Sequence, residues 1–303
     1  MPRQPSTTAP HCFTSRRLAI ASVLLAATTG LPAQADSQED DALAVPQVAA
    51  CSQRYPLVAS PRPATGNGTA KEAIRQGFGT DRDWGTEQNV EILPPDATGL
   101  GEPGLRVHYP EGTSSPGDTE EGGAGFYTEE AAFQASDRGC LQYRVRFEPG
   151  FDFVKGGKLP GLYGGEGPSG GTAADGENGF SMRFMWREDG QGELYEYVVN
   201  QDEEEDYGAS VGRGLWHFPT GRWVTIEQEI ILNDPDQENG VARVWIDGAP
   251  MLEQNGIVYR TTDSVTIDGL MFSSFFGGDG EEWRTPRDQI IDFAAFRFYA
   301  PGP

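Results

Sequence analysis

Apolar and polar residues in this chain take turns along short runs, and that two-residue period constrains the backbone more than any other feature. The runs cover 89–93, 105–109, 141–147, 180–186, 194–199, 223–232, 241–246, 270–276 and 290–299. Alternation places every second side chain on one face of an extended segment, which is the signature of a half-buried β-strand. Gly, Asp, Asn and Pro punctuate the runs, and 40 glycines and 22 prolines supply turns in quantity. Only 69–78 reads as a short helix. Many short strands spread over one body of about 230 residues predict an all-β fold, a jelly-roll sandwich of two antiparallel sheets.

The N-terminus reads differently. Residues 1–35 have the form of a secretory signal peptide. Arg3, Arg16 and Arg17 supply positive charge, 18–27 is an apolar core, and Ala33-Gln34-Ala35 is a cleavage signal. A secreted, extracellular protein is expected, by ordinary or twin-arginine export. Residues 36–70 are rich in Ala, Pro, Ser and Asp and form a linker or an N-terminal arm, leaving 71–303 as the β-domain. Cys12 leaves with the signal. Cys51 and Cys140 remain as an even pair in an oxidising compartment, so a disulfide is expected, with two free thiols as the alternative.

Charge excludes two classes of partner. The chain has 23 basic and 46 acidic residues, a net of −23, and removing a segment with three arginines and no acid leaves −26. Such a surface repels nucleic acid and anionic membrane. No nucleic-acid or membrane partner is expected for the mature form, which is read as a monomer. A polyanionic ligand would need a local basic island. Lys155, Lys158, Arg183, Arg187 and Arg213 fall close together and include two of the chain's three lysines. Lys158 sits inside the ten-residue stretch GGKLPGLYGG, where glycines leave room for close approach.

Two hairpins can be placed. Asp247-Gly248 is a turn dipeptide after 241–246, and Glu188-Asp189-Gly190 separates 180–187 from 194–199. On 180–187, Phe180, Met182, Phe184 and Trp186 form a core face, and Ser181, Arg183, Met185 and Arg187 the opposite one. A turn about Asp189 pairs Arg183 with Tyr195 and Ser181 with Tyr197, which brings a hydroxyl, a guanidinium and two phenols together. On spacing alone this set is also what a solvated surface ladder looks like.

The types present suit β-elimination on a uronic-acid polymer. That reaction needs a base for the C5 proton, a cation on the adjacent carboxylate and an acid for the departing O4 oxygen. Arg183 can grip a carboxylate with two bonds. Tyr197 can exchange a proton at O4 if neighbouring cations lower its pKa, and Lys158 can act as base if its pKa falls.

These residues also resemble a known family. Lys158 in GGKLPGLYGG, Ser181 and Arg183 in FSMRFMW, and Tyr195 and Tyr197 in ELYEYVV are similar to polysaccharide lyase family 14, the alginate and glucuronan lyases. GASVGRGLWHF, GRWVTIEQEIILND and SSFFGGDGEEW extend the likeness over about 125–299, and the glucuronan lyases of family 20 are related. The resemblance implies a jelly roll with a concave substrate cleft, an anionic polysaccharide substrate and no obligatory cofactor. It makes Lys158 the essential lysine, Ser181 and Arg183 the carboxylate side, and Tyr195 and Tyr197 the phenols at the scissile bond. Base and acid are left unassigned among them.

Weaker candidates remain. Arg187, Arg213, His217 and Tyr163 are candidate substrate-binding residues, though a histidine between Trp216 and Phe218 is more often packed than catalytic. Trp283 could stack on a sugar. The acid run 202–206 has calcium-ligating chemistry, with a solvated loop as the plainer reading. No zinc spacing exists, so no metal site is assigned. Two further classes stay open. A glycoside hydrolase on a similar sandwich would need a carboxylate pair, and a carbohydrate-binding module would not need the lysine beside a tyrosine.

Overall fold

The computed structural model describes residues 43–117, 122–201, 207–235, 237–278 and 280–302. The signal segment 1–35 and the acid run 202–206 lie outside them. The described strands are β1 (Leu57–Ala59), β2 (Asp83–Trp84), β3 (Val90–Leu93), β4 (Gly104–Tyr109), β5 (Ala124–Tyr127), β6 (Arg138–Phe147), β7 (Gly156–Gly165), β8 (Gly179–Arg187), β9 (Gln191–Tyr197), β10 (Ala209–His217), β11 (Val224–Ile231), β12 (Gly240–Ile246), β13 (Ala249–Ile257), β14 (Gly269–Ser274) and β15 (Gln289–Tyr299). They form two antiparallel sheets. One runs β13-β12-β11-β6-β15-β4-β3, with β1 also on β15; the other runs β10-β9-β8-β7-β14-β5-β2. This is the sandwich the alternation predicts.

The inner faces meet in one core. Tyr143, Phe147, Ile226 and Phe293 from the first sheet pack with Met182, Phe184, Trp186 and Phe272 from the second. Aromatic rings bridge the layers, with Phe272 and Phe293 centroids 4.9 Å apart at 72°. The helix Ala70–Phe78 is held by a capping box between Thr69 and Glu72, stops at Gly79 with φ 67°, and buries Ile74 and Phe78. Among the described residues no helix is long and apolar enough to cross a membrane.

Both expected hairpins form. Asp247 and Gly248 take positive φ, 51° and 79°, between β12 and β13. That is the two-residue turn whose twist matches the strands it joins. The arm beyond residue 42 is tied down. Ala44 bridges Glu253, β1 pairs with β15, and Cys51 and Cys140 form a disulfide at a Cα separation of 6.0 Å.

The least expected element is β7. GGKLPGLYGG lies outside the alternating runs, and a proline argues against a central strand because it cannot donate to the ladder. Yet β7 lies between β8 and β14. The resolution is a bulge, since the register shifts between Leu159 and Leu162 around Pro160. The bulge leaves ladder groups for another partner to fill. Gln228, reaching across from β11, accepts from Leu162 N–H at 2.8 Å and donates from Nε2 to Met182 O at 2.7 Å. The glycines serve contact rather than flexibility. A Cβ on Gly157 would stand 2.1 Å from the Trp186 ring, and one on Gly161 would stand 2.0 Å from Met182 O.

Candidate active site

The bulge also sets which way β7 points. Lys158 and Tyr163 are five residues apart, an odd number, yet both reach the outer face because one extra residue intervenes. Outer-face residues then stand in rows across β7, β8 and β9. Lys158, Met185 and Glu193 make one row, Arg183 and Tyr195 the next, and Tyr163, Ser181 and Tyr197 the third. The pairings Arg183–Tyr195 and Ser181–Tyr197 are those the turn about Asp189 predicts. Ser210 of β10 extends the second row.

This face floors a cleft of about 940 Å³ that runs from Trp84 on β2 to Arg213 on β10. Lys158, Arg183, Met185, Arg187, Tyr195 and Tyr197 line its middle. The chain carries 46 acidic residues, yet none of the described residues lining the cleft is acidic.

Lys158 is 8 % exposed. Its Nζ lies 3.4 Å from the Tyr195 ring centroid and 2.7 Å from Met185 Sδ. No carboxylate pairs with it among the described residues. Burial first, then the charges of Arg183 and Arg187, push its pKa well below the ordinary lysine value, while Glu193 acts in the opposite sense. The neutral amine is therefore favoured, which is the form a base requires.

Arg183 is 3 % exposed. Its Nη1 meets Ser273 Oγ at 3.4 Å, and its guanidinium carbon lies 6.0 and 5.9 Å from the Tyr195 and Tyr197 ring centroids. Its Nε is buried with no hydrogen-bond partner, and no Asp or Glu pairs with it among the described residues. A buried cation with an idle donor is costly unless an anion completes it.

The two phenols meet edge to face with centroids 5.9 Å apart. Tyr195 has its pKa raised, by burial most of all and then by Tyr197, against the opposing pull of Arg183 and Arg187. At Tyr195 desolvation outweighs the nearby cations and the proton is kept. The Tyr197 hydroxyl accepts from Gly171 N–H at 3.4 Å.

Arg187 and Arg213 are the other cations of the expected basic island, and they are not free. Glu193, fully buried beneath them, accepts from Arg187 Nε at 2.7 Å and from Arg213 Nε at 2.6 Å. Ser210 Oγ donates to the same carboxylate at 3.0 Å and accepts from both guanidiniums. Lys155 pairs with Glu282 at the rim, 3.2 Å away, and does not line the cleft. Glu193 was missed from sequence, although its parity with Tyr195 and Tyr197 was there to be read.

Three candidates do not reach the cleft. Ser181 is fully buried and donates to Pro168 O at 2.7 Å, so the segment that follows β7 covers its hydroxyl. Tyr163 is buried in the same row, its hydroxyl donating to Thr128 O. His217 is exposed at the end of β10, outside the lining. Among the described residues the group with metal-ligand spacing is Cys51, Cys140 and Glu227, and its two sulfurs are already bonded to each other.

The model of the family described as polysaccharide lyase 14 matches residues 97–296. The chain belongs to that family. Among solved structures, it is similar to the marine PL-14 alginate lyase from Aplysia kurodai, at 32 % identity and a TM-score of 0.69 over 81 % of this chain and 100 % of that one. It shares its fold with an alginate lyase from Chlorella virus, at 18 % identity and TM-score 0.64 over 81 % of this chain and 100 % of that one. The fungal endo-β-1,4-glucuronan lyase from Trichoderma reesei also shares the fold, at 12 % identity and TM-score 0.53 over 81 % and 96 %. No curated protein sequence matches the chain. The protein is thus a polysaccharide lyase, and both the hydrolase and the non-catalytic module fall away. A hydrolase would also want two carboxylates facing the cleft, where the described lining has none.

Proposed function

We propose that this lyase is exported and cleaves a polyuronate of the glucuronan or alginate type by β-elimination, with Lys158 as base. The Lys158 amine takes the C5 proton. The electron pair left on C5 forms the C4=C5 double bond as the C4–O4 bond breaks. O4 takes a proton from the Tyr195 hydroxyl, which Lys158 later restores. Arg183 holds the substrate carboxylate, onto which negative charge spreads in the transition state. Tyr197 orients Tyr195, and Arg187 and Arg213 contact the chain farther along the cleft. No step calls for a cofactor.

One observation carries this reading: two buried cations, Lys158 and Arg183, line the cleft floor of a strongly acidic chain, and among the described residues neither is hydrogen-bonded or ion-paired to a carboxylate. An anion supplied by the substrate completes the set. The test is to incubate the protein with glucuronan, polymannuronate and polyguluronate and follow ultraviolet absorbance of the new double bond. Absorbance rising on at least one polymer is expected. Reducing ends without absorbance would mean hydrolysis and would overturn the reading.

A further inference from the structure

Glu193 has no part in that scheme, yet it is the carboxylate nearest to the chemistry. It sits in the same row as Lys158 and Met185 and is fully buried. Both its oxygens are engaged, one by Arg187 and Ser210 and the other by Arg213. We propose that Glu193 is a positioning residue that clamps Arg187 and Arg213 to the cleft floor and governs how much of their charge reaches Lys158. The proposal rests on Lys158 acting as the base.

Fold stability alone is a poor reason for this residue. A buried ion pair is often no better than apolar side chains of the same volume, and the neighbouring residue Leu194 shows that β9 can bury apolar groups. Glu193 instead produces a graded electrostatic setting. Arg183 and Arg187 of β8 face Lys158 and disfavour its ammonium. Glu193 of β9 favours the ammonium, and Tyr195 on the same strand has its pKa raised and keeps its proton. Arg213 of β10 acts through Glu193. On the opposite side, Ser273, Phe275 and Gly277 carry no charge. With Glu193 in place the arginines remain available to an anionic sugar while their combined effect on Lys158 is held in check. Without it their full charge would act on the base and draw it toward a weaker, more acidic amine.

The experiment reads Lys158 directly. Acetylation of lysine by acetic anhydride is followed against pH by mass spectrometry, with the exposed Lys155 as internal reference. In parallel, the acid limb of kcat/KM is recorded on whichever polyuronate is turned over. In Glu193→Gln the Lys158 labelling midpoint and the acid limb should both move down by about one pH unit, while Glu193→Asp stays near wild type. Arg187→Gln leaves the carboxylate facing Lys158 and should move the midpoint up, so the relation can be read even if Glu193→Gln does not fold. A folded Glu193→Gln with an unmoved midpoint, or an unmoved midpoint in Arg187→Gln, overturns the proposal. The two ideas fail separately. A shifted midpoint in a protein that makes no unsaturated product would sink the lyase chemistry and leave the charge relation standing. Product formation with an unmoved midpoint would sink only the role of Glu193.

Discussion

The outer faces of the two sheets handle buried charge in opposite ways. On the eight-stranded sheet every buried acid among the described residues has its donors, and two of the three have cations. Glu229 accepts from Arg54, Tyr55 and Arg243, Asp292 from Arg106 and Arg146, and Glu227 from Ser52 and Gln142. The N-terminal arm lies over this face and completes it. On the seven-stranded sheet Glu193 is paired with Arg187 and Arg213, but the buried Lys158 and Arg183 have no carboxylate in hydrogen-bond or ion-pair contact among the described residues. Paired charge holds a fold together; unpaired charge of one sign, kept dry on a strand floor, is a place prepared for something absent. The chain spends stability at one face and not at the other, and that asymmetry marks the cleft more sharply than its shape does.

The sharpest break in the comparison is Lys158→Met. Loss of a general base costs about 10²–10⁴-fold in rate, so unsaturated product should fall by at least two orders of magnitude. The same change replaces a buried, unpaired amine with an apolar chain of similar length. It should leave the melting temperature unchanged or raise it, by roughly 1–2 kcal/mol of added stability. Activity retained in Lys158→Met would remove the lysine from the mechanism. Activity lost together with a large fall in melting temperature would mean that Lys158 is structural and that the two faces do not differ.

Glu229→Gln is the converse on the paired face. It leaves Arg54 and Arg243 facing a neutral amide. Breaking a buried pair costs about 3–5 kcal/mol, and the partial exposure of both arginines lowers that to about 2–4 kcal/mol. Urea unfolding should show the loss, with kcat and KM unchanged. A catalytic defect at constant stability would show that the arm-covered face communicates with the cleft.

What sequence alone revealed follows from how local each determinant is. The β8–β9 register was legible because a three-residue turn and strict alternation fix it within about twenty residues. β7 was not, because Pro160 and its glycines erase the period, and the partner that fills the bulge, Gln228, lies 66 residues from Leu162. Glu193 was hidden by Gly190 and Gly192, which made 190–193 look like turn when β9 already begins at Gln191. β10 was lost in the same way, with Gly212 and Gly214 interrupting its register. Ser181 had the right parity and the wrong surroundings, since a covering loop leaves no trace in alternation.

Gln228, with Tyr143 donating to Pro160 O, links the two sheets by hydrogen bonds at the bulge, and it offers the finest test of their independence. Its side chain leaves the paired sheet, crosses the core and closes the bulge that turns Lys158 toward the cleft. Gln228→Leu keeps the volume and strands one buried N–H and one buried C=O. Each unpaired group costs about 1–3 kcal/mol, and relaxation of the strand recovers part of that. A net loss of about 2 kcal/mol in urea unfolding is expected. The bulge sets the aim of Lys158, and a displacement of about 1 Å in a reacting group can cost as much as 10²-fold, so kcat should fall roughly tenfold while KM holds. Stability lost with kcat intact would show that Lys158 keeps its place without the bridge, and the paired sheet would then be only a support. Loss of both would mean that the catalytic face takes its geometry from a single amide anchored in the other sheet.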